Sequence, residues 1–466
     1  MDSSEGEATR KISIFRDSTR YAVLILSIIC MTLVTSNCLI LNFTIICMGS
    51  ENGTTVYDYS QTEKGWLFSA VAIGALIGAL PITELITLFG MRKVKTGYGM
   101  ISVVATFLCP LAASYGFVWL FAVRVVQGFA WTVAYSATGD IPATWATPKD
   151  KVTYMAVISA YLQLAPMFTM PVAGAFCVSP IGWTGVYYLQ GLLTLFFFGL
   201  FYYFYRDSPE MHKSISAKEL GKIESGKVDL ASKSKRTPYL AISCDLTIIG
   251  VWMSWVGGAT AYQLLLQYGP TYLNKVLHYE VASTGFATAF PFALALGIKI
   301  CAGPFSEWAT CVGARARLIL FTIAAQGSIG LCFVFLALVP PERAFLGWCA
   351  YAAAIAAGGM NCVAMFKCAQ LVSCQYISFV MAVLSIINSL SVLILPPFVS
   401  YMVPTNAPQE WAMLYYAIAG LVLVTNAFFC FVCKAKPASW TREASKDNSV
   451  QPRADCVLAR RCANDE

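Results

Sequence analysis

Arg124 is the residue whose type and surroundings most clearly predict chemistry. It lies in the stretch FAVRVVQGFAWTVAYSATG, residues 121–139, which contains no other charged residue. A buried guanidinium is costly without partners, and its planar fork of N–H donors matches the oxygens of a carboxylate or phosphate. Counted from Phe117, it lies about 10 Å along a helix. We predict that Arg124 binds an anionic solute; the alternative is an arginine that locks helices together by pairing with a carbonyl or an acid.

Further polar residues could line the same pathway. Gln127 follows Arg124 by almost one helical turn, and Tyr135 follows Trp131 by four residues, so these two rings share a helix face. Lys299, in ALALGIKICAGPF, either contacts the anion as well or extends towards the nearby inner surface. The predicted substrate-binding residues are Arg124, Gln127, Tyr135 and Lys299. Other polar candidates, each equally compatible with packing, are Asn37, Gln163, Gln263 and Asn388.

The elements that must position these residues are membrane-spanning helices. The 466 residues are 58% hydrophobic and 12% charged, whereas soluble proteins carry about 25% charged residues. A span needs about 20 apolar residues. The predicted spans are 21–48, 65–89, 97–113, 117–139, 153–178, 184–205, 240–267, 283–305, 317–339, 345–366, 375–403 and 412–434. We therefore expect an all-α polytopic membrane protein with twelve transmembrane helices, in which the small residues of GALIGAL (74–80) allow close helix packing.

The long polar segment between the sixth and seventh spans divides the chain into two six-helix bundles. The expected organisation is a cytosolic N-terminus (1–20), an N-terminal bundle (21–205), a cytosolic linker (206–239), a C-terminal bundle (240–434) and a cytosolic tail (435–466) with the composition of a disordered segment. Within the linker, Ser216 followed by Glu219 predicts a short helix that begins with a capping box.

The distribution of charge gives the orientation and excludes several classes of function. The net charge of +7 comes from Lys and Arg in alternate loops, as the positive-inside rule requires, so both termini are expected in the cytosol and nucleic acid is not needed as a partner. Asn52 forms a sequon in the first outer loop and predicts glycosylation there.

The 17 cysteines lack metal-site spacing, and no nucleophile–base pair or phosphate loop occurs. We expect no catalytic residue, metal or cofactor, and no enzyme.

An acid followed by a basic cluster occurs once in each half. Glu84 precedes Arg92 after the second span, and Glu307 precedes Arg315 after the eighth. Such a repeat is typical of secondary transporters with alternating access. We predict an inner-face latch formed by Glu84, Arg92, Glu307 and Arg315; the alternative is that the acids only cap helices.

Four stretches resemble the organic-anion and phosphate transporters of the major facilitator superfamily, which include sodium–phosphate cotransporters, sialin and vesicular glutamate transporters. RVVQGFAWTVAYSATGDIPATWATPKDK (124–151) is similar to the fourth span and the following loop of that family. The other three are WLFSAVAIGALIGALPITEL (66–85), GPTYLNKVLHYEVASTGFATAFPF (269–292) and EWAMLYYAIAGLVLVTNAFFCFV (410–432). The resemblance covers nearly the whole chain and implies that Arg124 is the anion-binding residue of the first half.

The chain departs from this family at positions that carry charge in some members. A Glu on the fourth span is here Trp131, a His on the second is Phe68, and an Arg on the seventh falls at about Gly258. The sequence predicts a secondary active transporter of a small organic or inorganic anion in the lipid bilayer. Its coupling to an ion or to the membrane potential is left unassigned, with sodium and a proton as the candidate ions. The alternatives are a carrier of a neutral solute in which Arg124 is structural, and a non-transporting receptor or scaffold.

Overall fold

The computed structural model describes residues 18–48, 59–147, 150–212, 214–224, 238–308, 313–373 and 376–442. This part of the chain consists of helices and turns, without a strand. The helices of the first half are α1 (Thr19–Thr44), α2 (Gln61–Tyr115), α3 (Phe117–Trp145), α4 (Lys151–Ile158), α5 (Tyr161–Cys177) and α6 (Thr184–Phe204). The linker holds α7 (Ala217–Glu224) and α8 (Tyr239–Ser243). The second half holds α9 (Leu246–Lys275), α10 (Val281–Trp308), α11 (Ala314–Thr322), α12 (Ser328–Leu338), α13 (Ala344–Ser373), α14 (Ile377–Met402), α15 (Pro408–Val432) and α16 (Ser439–Arg442).

These helices are consistent with the twelve predicted spans. Nine apolar stretches in the described residues are long enough to cross a membrane, with α4 joined to α5 and α11 to α12. The 55 residues of α2 suffice for two crossings. The helices α9 and α13, of 30 residues each, complete the set.

Gly90 divides α2 into two helices that point in different directions. Its φ of +81° is one that residues with a side chain rarely adopt, and a Cβ there would meet the Asp207 carboxylate at 2.5 Å. That carboxylate accepts a hydrogen bond of 2.8 Å from the backbone N–H of Arg92. The second helix of α2 therefore begins with a cap supplied by Asp207, which lies in the segment after α6.

Glycines also set the contact between α2 and α3. A Cβ on Gly74 would collide with the backbone of Val125, and one on Gly128 with the backbone of Val71. The predicted close helix packing at GALIGAL is confirmed, because each glycine lets the backbone of the other helix approach directly.

The two halves share one apolar core at one end and have separate cores at the other. We call "inner" the end at which α1 begins, and "outer" the opposite end. One outer cluster contains Phe43 and Leu67 of the first half together with Tyr268 and Trp411 of the second. At the inner end each half has a core of its own. The molecule is thus closed at its outer end.

Candidate functional site

Arg124 is buried inside the first half, with 1% of its surface exposed. Its Nη1 donates to the Cys38 carbonyl of α1 at 2.8 Å and to Oε1 of Gln127 at 2.9 Å. Its Nε donates to the Leu67 carbonyl of α2 at 3.4 Å. Three helices therefore hold the guanidinium through neutral oxygens.

Gln127 orients Arg124 and is itself held in place. Its Nε2 donates to the Asn37 carbonyl at 3.3 Å and to Thr106 Oγ1 at 3.2 Å. The amide is therefore fixed with its oxygen towards the guanidinium. The Asn37 side chain faces away from Arg124 and donates to Ser102 and Thr194.

The positive charge of Arg124 has no carboxylate beside it among the described residues. In that part of the chain, the one ion pair with both groups within 4.0 Å joins Arg20 to Asp150 at 3.2 Å. Nη2 of Arg124 makes no hydrogen bond to the described residues. A buried cation without a counter-charge strongly favours the approach of an anion.

Tyr135 lies apart from Arg124, at the junction of the two halves. Its hydroxyl accepts a hydrogen bond of 2.8 Å from Asn388 of α14, and its ring contacts Trp131 edge to face at 5.1 Å. Asn388 in turn accepts from Gln263 of α9 at 3.3 Å. Three of the polar candidates thus form one neutral chain between the halves, and the expected contact of the two rings is confirmed.

Lys299 connects α10 to α5 across the junction. Its Nζ donates to the Ser159 carbonyl at 3.1 Å and to Oε1 of Gln163 at 3.3 Å. Ser159 lies in the break between α4 and α5. The four predicted substrate residues therefore occupy three places: Arg124 with Gln127 inside the first half, Tyr135 with Asn388, and Lys299 with Gln163.

The predicted latch residues do not meet in the described part of the chain. Glu84 is exposed. Arg92 donates to the Tyr202 carbonyl at 2.7 Å and lies over the Tyr202 ring. Arg315 is exposed, the side chain of Glu307 falls outside the described residues, and so does Asn52. The latch and the glycosylation site stay predictions.

A second cation, Lys95, is fully buried in the described residues and was not predicted from the sequence. Its Nζ has no hydrogen-bond partner and lies 4.4 Å from the centre of the Phe201 ring. It follows Arg92 and Lys93 in the sequence, a position typical of an inner basic loop.

A disulfide was also missed. Cys47 and Cys177 join the outer ends of α1 and α5. Both lie at predicted outer ends of spans, and that shared position was the available signal. As for metals, no group of three His, Cys, Asp or Glu side chains in the described residues could hold an ion.

Comparison with known proteins gives matches over most of the chain. The family model of the Major Facilitator Superfamily matches residues 24–375. Sialin from Homo sapiens is 24% identical over 399 residues, which cover 82% of this chain and 78% of that protein. Sodium-dependent phosphate transport protein 1 from Homo sapiens is 24% identical over 458 residues, 91% of this chain and 95% of that protein. A bacterial homolog of the human lysosomal transporter Spinster, solved in an inward-facing and occupied conformation, matches with a TM-score of 0.66 and 16% identity, over 93% of this chain and 99% of that one.

Proposed function

The chain belongs to the Major Facilitator Superfamily, a family of membrane transporters and not of enzymes, and on this premise we propose that it is a secondary active transporter of a small anion. The observation that carries the proposal is the Arg124 guanidinium, buried with neutral acceptors only. The relatives named above include a sodium-dependent phosphate transport protein, which agrees with an anionic substrate and with sodium as one candidate for the coupling ion; a proton is the other.

Arg124 becomes accessible in this proposal through alternating access. Its two carbonyl acceptors belong to α1 and α2. These helices pack against α9 and α14 of the second half. The outer contact includes the hydrogen bond from Ser69 to the Leu393 carbonyl at 2.8 Å and that from Ser400 to the Gln61 carbonyl at 2.9 Å. When these contacts separate, the guanidinium can exchange a carbonyl for an anion, while Gln127 keeps its orientation.

Tyr135 and Lys299 act later on the same route. Both lie at the junction of the halves, where Tyr135 supplies a hydroxyl and Lys299 a second positive charge. An anion released from Arg124 towards the inner end would pass them. In this proposal both termini are cytosolic, so the inner end faces the cytosol.

The test is uptake of radiolabelled phosphate, sialate and glutamate into proteoliposomes, with mannitol as an uncharged solute. We expect Arg124→Ala and Arg124→Lys each to reduce anion uptake at least about tenfold, since Lys keeps the charge but loses the fork of donors. Arg343→Ala, which removes an exposed guanidinium, is the matched control and should transport normally. Size-exclusion profiles identify variants that do not fold.

A second candidate is a carrier of a neutral solute. It is favoured by the complete enclosure of Arg124 and by the neutral chain of Tyr135, Asn388 and Gln263 at the centre. Mannitol uptake that survives Arg124→Ala would support it over the anion carrier. Absence of uptake of every solute would instead favour a receptor or scaffold.

A further inference from the structure

The segment after α6 folds back onto the inner end of the first half. Ile215 and Ile223 are buried in the same apolar cluster as Trp145 of α3. Nε1 of Trp145 donates to the Arg206 carbonyl at 3.2 Å. We call residues 205–224 the strap; all of them except residue 213 belong to the described part. The strap is part of the first half and not a free connection between the halves.

A carboxylate of the strap caps the start of α1. Glu219 is 2% exposed, and its two oxygens accept hydrogen bonds from the backbone N–H groups of Thr19 at 3.2 Å and Arg20 at 2.9 Å. Ser18, which precedes the helix, provides no side-chain cap. A carboxylate at this position satisfies two otherwise unpaired donors and interacts favourably with the helix dipole.

The Glu219 carboxylate caps α1 and not its own helix, α7. The sequence predicted a capping box at the start of α7, and half of it exists, because Ser216 Oγ accepts from the Glu219 N–H at 3.1 Å. The other half would need the Glu219 carboxylate to bond to the backbone of Ser216. That carboxylate instead reaches α1, about 200 residues earlier in the chain, so the predicted box is only half formed.

The strap also holds a buried histidine. The His212 ring is 4% exposed and packs edge to face on Trp145 and Phe204. Its Nδ1 accepts a hydrogen bond of 3.2 Å from the N–H of Ser214. This bond requires a ring without a proton on Nδ1, so protonation of His212 breaks it.

The charges around His212 favour the neutral ring. Burial lowers the pKa of His212 from its usual value, and the nearby Arg206 lowers it further, while the backbone of Phe204 and the Glu219 carboxylate act in the opposite direction. Trp145 of α3 presents only an aromatic face. The neutral His212 ring therefore contributes fully to the stability of the docked strap above about pH 6.5, the ordinary pKa of histidine. This contribution is lost as the pH falls below that value.

The position of α1 matters because this helix packs against α9 of the other half. From these contacts we propose that the strap is a pH-responsive clasp, which holds the inner end of α1 through Glu219 and releases it when His212 is protonated. Release leaves the first N–H groups of α1 without a cap and loosens the inner end of a helix that lines the junction. The ion pair of Arg20 with Asp150 at 3.2 Å still ties that end to the start of α4. The clasp does not depend on the identity of the transported solute.

Hydrogen–deuterium exchange of the full chain in nanodiscs tests the contact at neutral pH. We expect Glu219→Ala to raise exchange of the peptide covering residues 18–24 about fivefold, the effect of losing a cap of about 1 kcal/mol. Glu224→Ala, on the exposed face of the same helix, is the matched control and should exchange as wild type. Equal exchange in Glu219→Ala and wild type would overturn the proposal. Loss of protection in α15 as well would show that Glu219→Ala does not fold. In that case Glu219→Gln, which has a side chain of the same size, is used in its place.

A pH series from 5.5 to 7.5, corrected for intrinsic exchange, tests the release. The peptide covering residues 214–224 should lose protection below about pH 6.5 in the wild type. His212→Phe keeps a ring against Trp145 and Phe204 but neither accepts the Ser214 hydrogen bond nor titrates. Whatever the level of protection in this variant, it should not change with pH across the series. A wild-type strap that stays protected at pH 5.5, or a variant that responds like the wild type, would refute the pH-dependent release.

Discussion

At the scale of single residues, one substitution at Gln127 can neutralise the charge of Arg124. Gln127→Glu replaces the amide oxygen that lies 2.9 Å from Nη1 of Arg124 with a carboxylate oxygen. The new ion pair neutralises the guanidinium inside the protein, where such a pair is strongly held. We expect anion uptake in proteoliposomes to fall at least about tenfold. The second carboxylate oxygen would face the Asn37 carbonyl, to which Gln127 Nε2 donates in the wild type, so size-exclusion profiles must show that the variant is folded.

The companion variant is Gln163→Glu, which places a carboxylate beside Lys299 instead, at the 3.3 Å contact between Gln163 Oε1 and Lys299 Nζ. If Gln127→Glu transports like the wild type, the charge of Arg124 does not attract the substrate. If both variants lose uptake equally, Lys299 carries as much of the anion binding as Arg124. The two substitutions thus compare the contributions of Arg124 and Lys299 to anion binding.

The sequence predicted some of these residue contacts and not others. Arg124 and Gln127 are neighbours because they are three residues apart on one helix, and a helical repeat suffices to infer that. Tyr135 and Lys299 were expected at the same site, but they meet Asn388 and Ser159, which are distant from them in sequence. Those pairings depend on which helices of the two halves contact each other. The helical repeat of the sequence does not contain this information.

At the scale of elements, the contact of α2 with α3 depends on glycine. Gly128→Ala would place a Cβ 2.7 Å from the Val71 Cα, against backbone that cannot turn away. We expect the free energy of unfolding to fall by about 1–3 kcal/mol, as for other overpacked sites, measured as a lower apparent melting temperature in detergent. Gly139→Ala lies in the same helix with nothing within 4 Å of its Cβ. That control should melt at the same temperature or slightly higher, because alanine favours the helix; equal melting of both variants would contradict the close contact.

Apolar length predicted where most helices lie, but not how their ends are capped. Asp245, which directly precedes α9, accepts hydrogen bonds from the N–H groups of Thr247 and Ile248 at the start of that helix. The caps of α1 and of the second helix in α2 come instead from Glu219 and Asp207, which are remote in sequence. A rule that considers only neighbouring residues predicts a cap such as Asp245, but it cannot predict a cap that comes from a remote segment.

At the scale of the whole molecule, the disulfide and the basic loops are independent indications of one orientation. Disulfides persist outside the cytosol, while Lys and Arg are enriched on the cytosolic side. Cys47 and Cys177 form their bond at the outer end, and the basic segments were assigned to the inner end from composition alone. The shared outer core adds that this conformation is closed on the side of the disulfide.

Sealed microsomes, whose cytosolic face is outward, test this orientation with a thiol reagent that does not cross membranes. Cys244 is an exposed free thiol beside α8 at the inner end, so it should react without permeabilisation, and Cys244→Ser should lose that label. Cys47 and Cys177 should react only after the membrane is opened and the bond is reduced. Cys47→Ser leaves Cys177 unpaired, so its reaction should require opening of the membrane but no reductant. Labelling of Cys177 in this variant before the membrane is opened would place the outer end in the cytosol, and with it both termini on the opposite side.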